Sequence, residues 1–184
     1  MRYLETEVTL GTDEGEGAQR SVATLTSKLI ALEDRLRELN GSDTPEQRAL
    51  LRLEISRHHL ALERKPEAWS LARELLDEFL AREQWELAAD ACDILYRTEQ
   101  EESLQALGHG IWLSVTFPID PELTLTLLQN LIEDTPDNAD GAAVAAAVGV
   151  YVVELRTEGA KRDSLLFFAN QMLGQVARRH GQVE

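Results

Sequence analysis

Between Gly141 and Val153 the chain carries no charged residue, and alanine, glycine, valine and Tyr151 occupy every direction that a helix would offer. Such a helix has no polar side to turn to water. Its apolar run is shorter than the about 20 residues that cross a bilayer. Ala139 to Leu155 is therefore expected as a central helix, buried inside the protein. Asp137, Asn138 or Asp140 stands in place to cap its start, and Glu154 with Arg156 marks its return to water. The alanines and Gly149 allow close approach, so the other helices should pack around it. A buried strand over Val148 to Val153 is the competing reading, disfavoured by the alanines that precede it.

The rest of the chain reads as helices of similar length, an all-α fold of eight helices in antiparallel pairs. From Ala18 to Leu39 the apolar residues Val22, Leu25, Leu29, Leu32, Leu36 and Leu39 fall at alternating spacings of three and four. That is the a/d pattern of a coiled coil, shorter than three heptads. It serves either as one seam of a helical hairpin, the preferred reading, or as the interface of a homodimer. Asn40, Gly41 and Ser42 end this helix. Thr44-Pro45-Glu46-Gln47 opens the next with a cap, a proline at the first helical position and a glutamine at the third. That helix should run to about Arg64. Pro66 opens a third helix and a break at Arg82 to Gln84 separates it from a fourth. A fifth, from Gln100 to Ser114, is weakened by Gly108, Gly110 and the strand-forming SVTF. Asp120 and Pro121 start a sixth that ends near Asp134. After the central helix, Lys161 to His180 makes the eighth, with Gly181 just past its end. Residues 1 to 18 are acidic and glycine-rich and are expected as a mobile tail, with alternation at Leu4, Thr6, Val8 and Leu10 permitting a short strand. Residues 19 to 181 are expected as a single domain.

Charge narrows the partners. The chain has 33 acidic against 18 basic side chains, a formal charge of −15. Nucleic acid is disfavoured, because binding phosphates requires a basic surface. Anionic membranes are repelled for the same reason. One cysteine, Cys92, excludes an internal disulfide, and MRYLETEVTL lacks the basic and apolar regions of a signal peptide. A cytoplasmic protein is expected.

Phe79, Val115 and Tyr151 are spaced evenly at 36 residues. Phe79 is followed by Trp85, Ala88 and Cys92, and the second unit closes with LIEDTPDN, Leu131 to Asn138. Over about residues 69 to 170 this resembles the tetratricopeptide repeat, with Thr124 where the family has a small alanine and no glycine in the turn before Trp85. The resemblance implies a concave face made by the first helix of each pair. It carries Arg73, Asp77 and Leu80 in the first unit, and His109, Leu113, Thr116 and Phe117 in the second. Ala145, Gly149, Val152 and Val153 follow in the third. A groove of this kind would take a helix or extended peptide of another protein, unless the chain's own first or last helix fills it.

Chemistry is thinly signalled. Glu54 and His58 share a helical face, but neither HExxH nor paired cysteines supply the further ligands of a metal site. Glu74 and Asp77 on the third helix and Glu86, Asp90 and Asp93 on the fourth could converge on magnesium, a hard cation that favours carboxylate oxygens. In this they resemble the all-helical nucleoside triphosphate pyrophosphohydrolases. The competing reading is a solvated face, because Leu75, Leu76 and Phe79 inward would turn Glu74 and Asp77 outward. Cys92, Trp69, Trp85 and Trp112 read as core, and GHG at residues 108 to 110 lacks the lysine of a phosphate loop. No cofactor is expected. The leading expectation is a non-catalytic adaptor or chaperone-like module that binds another protein. A magnesium-dependent nucleotide hydrolase and a structural homodimer are the alternatives.

Overall fold

The structure is a computed structural model and describes Tyr3, residues 14–39 and residues 44–181. It is all-helical: α1 (Glu14–Glu38), α2 (Pro45–Ala61), α3 (Lys65–Ala81), α4 (Trp85–Arg97), α5 (Ser103–Thr116), α6 (Pro121–Asp134), α7 (Asp140–Arg156) and α8 (Gly159–Arg179). The expected tail is shortened by α1, which begins four residues earlier than residue 18, at Glu14. The strand reading of Leu4 to Leu10 lies outside the described residues. The chain forms two compact units, Thr6–Ala106 and Leu107–Glu184 with Met1–Glu5, and the boundary falls within α5.

In the first unit α1 and α2 make the hairpin. Leu29, Leu51 and Ile55 are buried together, with Leu32, Leu36, Leu39, Leu62 and Leu71 packed against them. The C-terminal part of the coiled-coil seam is thus occupied within the chain, while Val22 at its other end is exposed. The α2 start is the capping box that its sequence announces: the Gln47 amide donates to Thr44 Oγ1 at 3.2 Å, and the Thr44 amide to Gln47 Oε1 at 3.0 Å.

Two turns of one design then place α3 and α4. The Arg64 amide reaches back to the His59 carbonyl at 2.9 Å and the Gln84 amide to the Phe79 carbonyl at 3.0 Å. Each closes a helix through a left-handed residue, Glu63 at φ 56° and Glu83 at φ 57°. Glycine is usual at such positions. Here glutamate accepts the strain, which is why the sequence gives these turns no glycine signal. Gln84, just ahead of α4, donates to Glu46 at the start of α2, so α2 and α4 run in the same direction with α3 against both. Ala68, Ala72, Leu75, Leu76 and Phe79 of α3 and Ala88, Ala91, Cys92, Ile94 and Leu95 of α4 fill the core.

The second unit repeats the scheme with α6, α7 and α8. Asp120 caps α6, its Oδ1 accepting the Glu122 amide at 2.9 Å, and also holds Lys161 Nζ at 2.9 Å from α8. At the other end Arg179 of α8 donates to the Ile132 and Thr135 carbonyls and to Asp137 Oδ1. One turn before Arg179, Gln175 Oε1 accepts from Gln129 Nε2 at 3.1 Å. α6 and α8 are therefore parallel and joined at both ends. Leu125, Leu128, Ile132, Ala142, Ala145, Ala146, Val153, Leu165, Ala169, Met172 and Val176 form the core between them and α7. Arg156 at the end of α7 donates to the Ser114 and Val115 carbonyls at 2.7 and 3.0 Å, closing α5 in the same manner. The strand tendency of SVTF is overridden, since α5 continues as helix through Thr116. Among the described residues, no helix is long and apolar enough to cross a membrane.

The expectation of a wholly buried central helix is corrected. α7 has the predicted extent, but only one side is covered, by α6 and α8. Ala142, Ala145, Ala146, Gly149, Val152 and Val153 face inward, whereas Val144, Tyr151 and Leu155 are 62, 64 and 65 % exposed. Nor do the proposed caps act: Ala139 holds the N-cap position without a side-chain bond, and Asn138 takes a left-handed φ of 64°.

Candidate functional site

The five carboxylates of the magnesium reading do not converge. Glu74 pairs with Arg52 of α2, whose other nitrogen lies 3.5 Å from Glu78. Asp77 is exposed on the outer side of α3, and Glu86 is half-buried in the first turn of α4. Asp90 is turned inward and bound by Arg57: Arg57 Nε donates to Asp90 Oδ1 at 3.2 Å, and Nη2 meets Oδ2. Asp93 lies 3.9 Å from Arg97 on its own helix. Among the described residues no group of three or more histidine, cysteine, aspartate or glutamate side chains is disposed to hold a metal ion. The physical cause is competition, because α2 and α4 bring arginines to the carboxylates first.

The remaining chemical candidates are absorbed by the fold. His58 Nδ1 lies 2.9 Å from the Glu54 carbonyl of its own helix. Desolvation lowers the pKa of His59 below its ordinary value, against the opposing attraction of Glu33 and Glu67 and with minor help from Arg64 and His58. Cys92 is fully buried, and burial, reinforced by Asp93 and opposed by Arg73, pushes its thiol up to about 12. A thiol so held is no nucleophile at neutral pH.

The residues assigned to a concave face have unequal access. In the first unit Arg73 and Asp77 are exposed and Leu80 is half-buried. In the second, Thr116 is exposed, His109 and Phe117 are half-buried, and Leu113 has no surface at all. Leu113 is therefore core. Of the third-unit positions, Ala145, Gly149, Val152 and Val153 are all buried, with Ala145, Gly149 and Val153 against α6 and α8, so α7 turns the opposite side outward. The evenly spaced positions also differ in environment: Phe79 is in the core, whereas Tyr151 is mostly exposed.

Two apolar features stand open in the second unit. On α5, Trp112 is 54 % exposed rather than buried in the core as expected. It lies between His109 and Phe117, with ring centroids 6.0 Å away in both cases, and meets Phe117 edge to face. Such contacts hold the indole in one orientation without covering it. On α7, Val144, Ala147, Val148, Tyr151 and Leu155 form a row at helical spacing, with Val144, Ala147, Tyr151 and Leu155 exposed and Val148 half-buried. No charged side chain interrupts the row, and Ala147 leaves it low enough for another backbone to approach. Sequence reasoning missed this row because α7 is apolar on both sides, so periodicity could not distinguish the covered face from the open one. The one available sign was Tyr151, whose hydroxyl suits a position at the edge of water.

Both features are aromatic and aliphatic side chains carried on helices of the second unit, and among the described residues no group of three or more metal-ligating side chains is gathered. In comparisons with family models, curated proteins and solved structures, the chain matches none.

Proposed function

We propose that this protein is a non-catalytic interaction module of helical-repeat type, an adaptor or chaperone-like protein that works in the cytoplasm and binds another protein through its second unit. The observation that carries the reading is the exposed row of Val144, Ala147, Tyr151 and Leu155 on α7. Contiguous exposed apolar surface of this kind costs solubility, and in soluble proteins it marks a contact site. Trp112 supports the reading, because partly exposed tryptophan and tyrosine held in place are the side chains that dominate binding energies. The absence of a gathered carboxylate or metal-ligand group among the described residues leaves the hydrolase alternative without a supporting site. The buried, unpaired Cys92 is compatible with a reducing compartment.

A phage-displayed peptide library panned on the full chain tests the proposal. Selected peptides should share spaced apolar anchors. Trp112→Ser combined with Tyr151→Ser and Leu155→Ser should weaken their binding by at least about tenfold at unchanged melting temperature. An empty selection, or equal binding by the variant, overturns the proposal.

A further inference from the structure

We infer that the outer face of α7 is the docking site for a single amphipathic helix with basic residues at its ends. The inference rests on the interaction-module reading and names the partner's chemistry. The row from Val144 to Leu155 spans three turns, about 16 Å of helix axis, the length over which an apolar helix face makes anchors at i, i+3 or i+4, and i+7. Ala143 and Ala147 lie exposed on this side of the helix. Their lack of bulk lets the axis of a second helix come close, with Tyr151 and Leu155 rising beside it to enter its grooves.

Charge selects the occupant. From residue 107 to residue 184 the chain carries ten acidic and five basic side chains. The basic ones are largely engaged at home: Arg156 on the carbonyls that end α5, Lys161 on Asp120, Arg162 on Glu154, and Arg179 on the end of α6. The row is bounded by acid at both ends, since Asp140 continues it by one turn and Glu158 lies just beyond Leu155, while Glu154 is already paired with Arg162. A second copy of this chain fits poorly. Laid antiparallel, it would set Asp140 of one copy against Glu158 of the other, and laid parallel it would set each of these acids against itself. Like charges opposed at a contact are destabilising. The row also offers five side chains, against the roughly 20–30 residues a side engaged by a stable protein interface. A helix with an apolar face and lysine or arginine at each end matches both the extent and the charge.

Two fluorescent helical peptides of about 14 residues, each with leucines at i, i+3, i+4 and i+7, distinguish the possibilities. One carries lysines at both ends and the other glutamates. By anisotropy the full chain should bind the lysine peptide at least about tenfold more tightly than the glutamate one, and raising the salt to roughly 0.5 M should narrow the gap. Tyr151→Ser with Leu155→Ser should lose that binding while keeping the helical circular dichroism and melting temperature, since both side chains are exposed. If both peptides bind equally and both are lost in the variant, the apolar surface stands and the basic partner is overturned. If neither binds and sedimentation shows a dimer that the variant dissociates, the occupant is a second copy and the inference fails. If neither binds, no dimer forms and the peptide library also returns nothing, the interaction reading fails with it.

Discussion

Arg57 and Asp90 face each other at two points, joining α2 to α4 in the first unit, and the aspartate side chain is almost wholly buried. A carboxylate so placed is tolerable only while its cation stays. Arg57→Met should lower unfolding stability by about 3–5 kcal/mol, because it leaves the charge of Asp90 unanswered. Adding Asp90→Leu should recover much of the loss, since an apolar pair has no desolvation cost to offset. Urea unfolding of the two variants measures both effects, and losses that simply add would show that the residues act independently.

His59 makes the first unit sensitive to acid. Burial lowers its pKa in the folded state below that of the unfolded chain, about 6.5. Above that pH both states hold the neutral ring and stability is unaffected. As the pH falls below about 6.5 the unfolded chain takes up the proton first, so stability declines until the folded ring also titrates. Unfolding midpoints between pH 7.5 and 5.5, a window around that ordinary value, should therefore fall less in His59→Gln than in the parent. Parallel curves would contradict the assignment.

The thiol of Cys92 is raised to about 12 and has no exposed surface. At pH 8 the folded protein should react with a thiol reagent only through opening of α4, while urea-unfolded chain should react at once. Cys92→Ser should destabilise, by about 1–3 kcal/mol, because it places a hydroxyl in an apolar site. Rapid labelling of the folded protein is the result that would exclude this packing.

Two helical glycines should respond in opposite directions. A Cβ at Gly108 in α5 meets nothing within 4 Å, so Gly108→Ala should stabilise by about 0.5–1 kcal/mol through helix propensity alone. A Cβ at Gly149 would lie 2.9 Å from Leu125 Cδ2, with Leu128 and Met172 each 3.7 Å away. Gly149→Val should cost about 1–3 kcal/mol by forcing α7 off α6. Thermal melts of the two variants check the pair, and a stabilised Gly149→Val would mean that the interface is looser than its geometry.

Three helix boundaries were legible from local rules, although the caps expected for α7 were not formed. Thr44 and Gln47 form their capping box, Asp120 caps α6, and Gly181 ends α8 in the left-handed conformation at φ 62°. The hairpin was legible too, because Leu29, Leu32 and Leu36 repeat on one face only. What escaped was whatever depends on partners distant in sequence. Asp90 reads as one more acid on a helix until Arg57, 33 residues earlier, folds onto it. Leu113 and Trp112 are adjacent, yet one is core and the other open, and nothing in their types separates them. α7 shows the limit most clearly. Its composition implied burial on all sides, whereas only α6 and α8 cover it and the row through Tyr151 stays at the surface.

The arginines that close α5 and α6 come later in the chain than the helices they finish. The carbonyls that finish α5 wait for Arg156, and those that finish α6 wait for Arg179, which lies 47 residues beyond Ile132. While the chain emerges, these two helices have their backbones made but their last turns unclosed, with carbonyls that water alone can serve. A chain cut short ahead of residue 179 would thus hold every residue of α6 and still lack the group that finishes it.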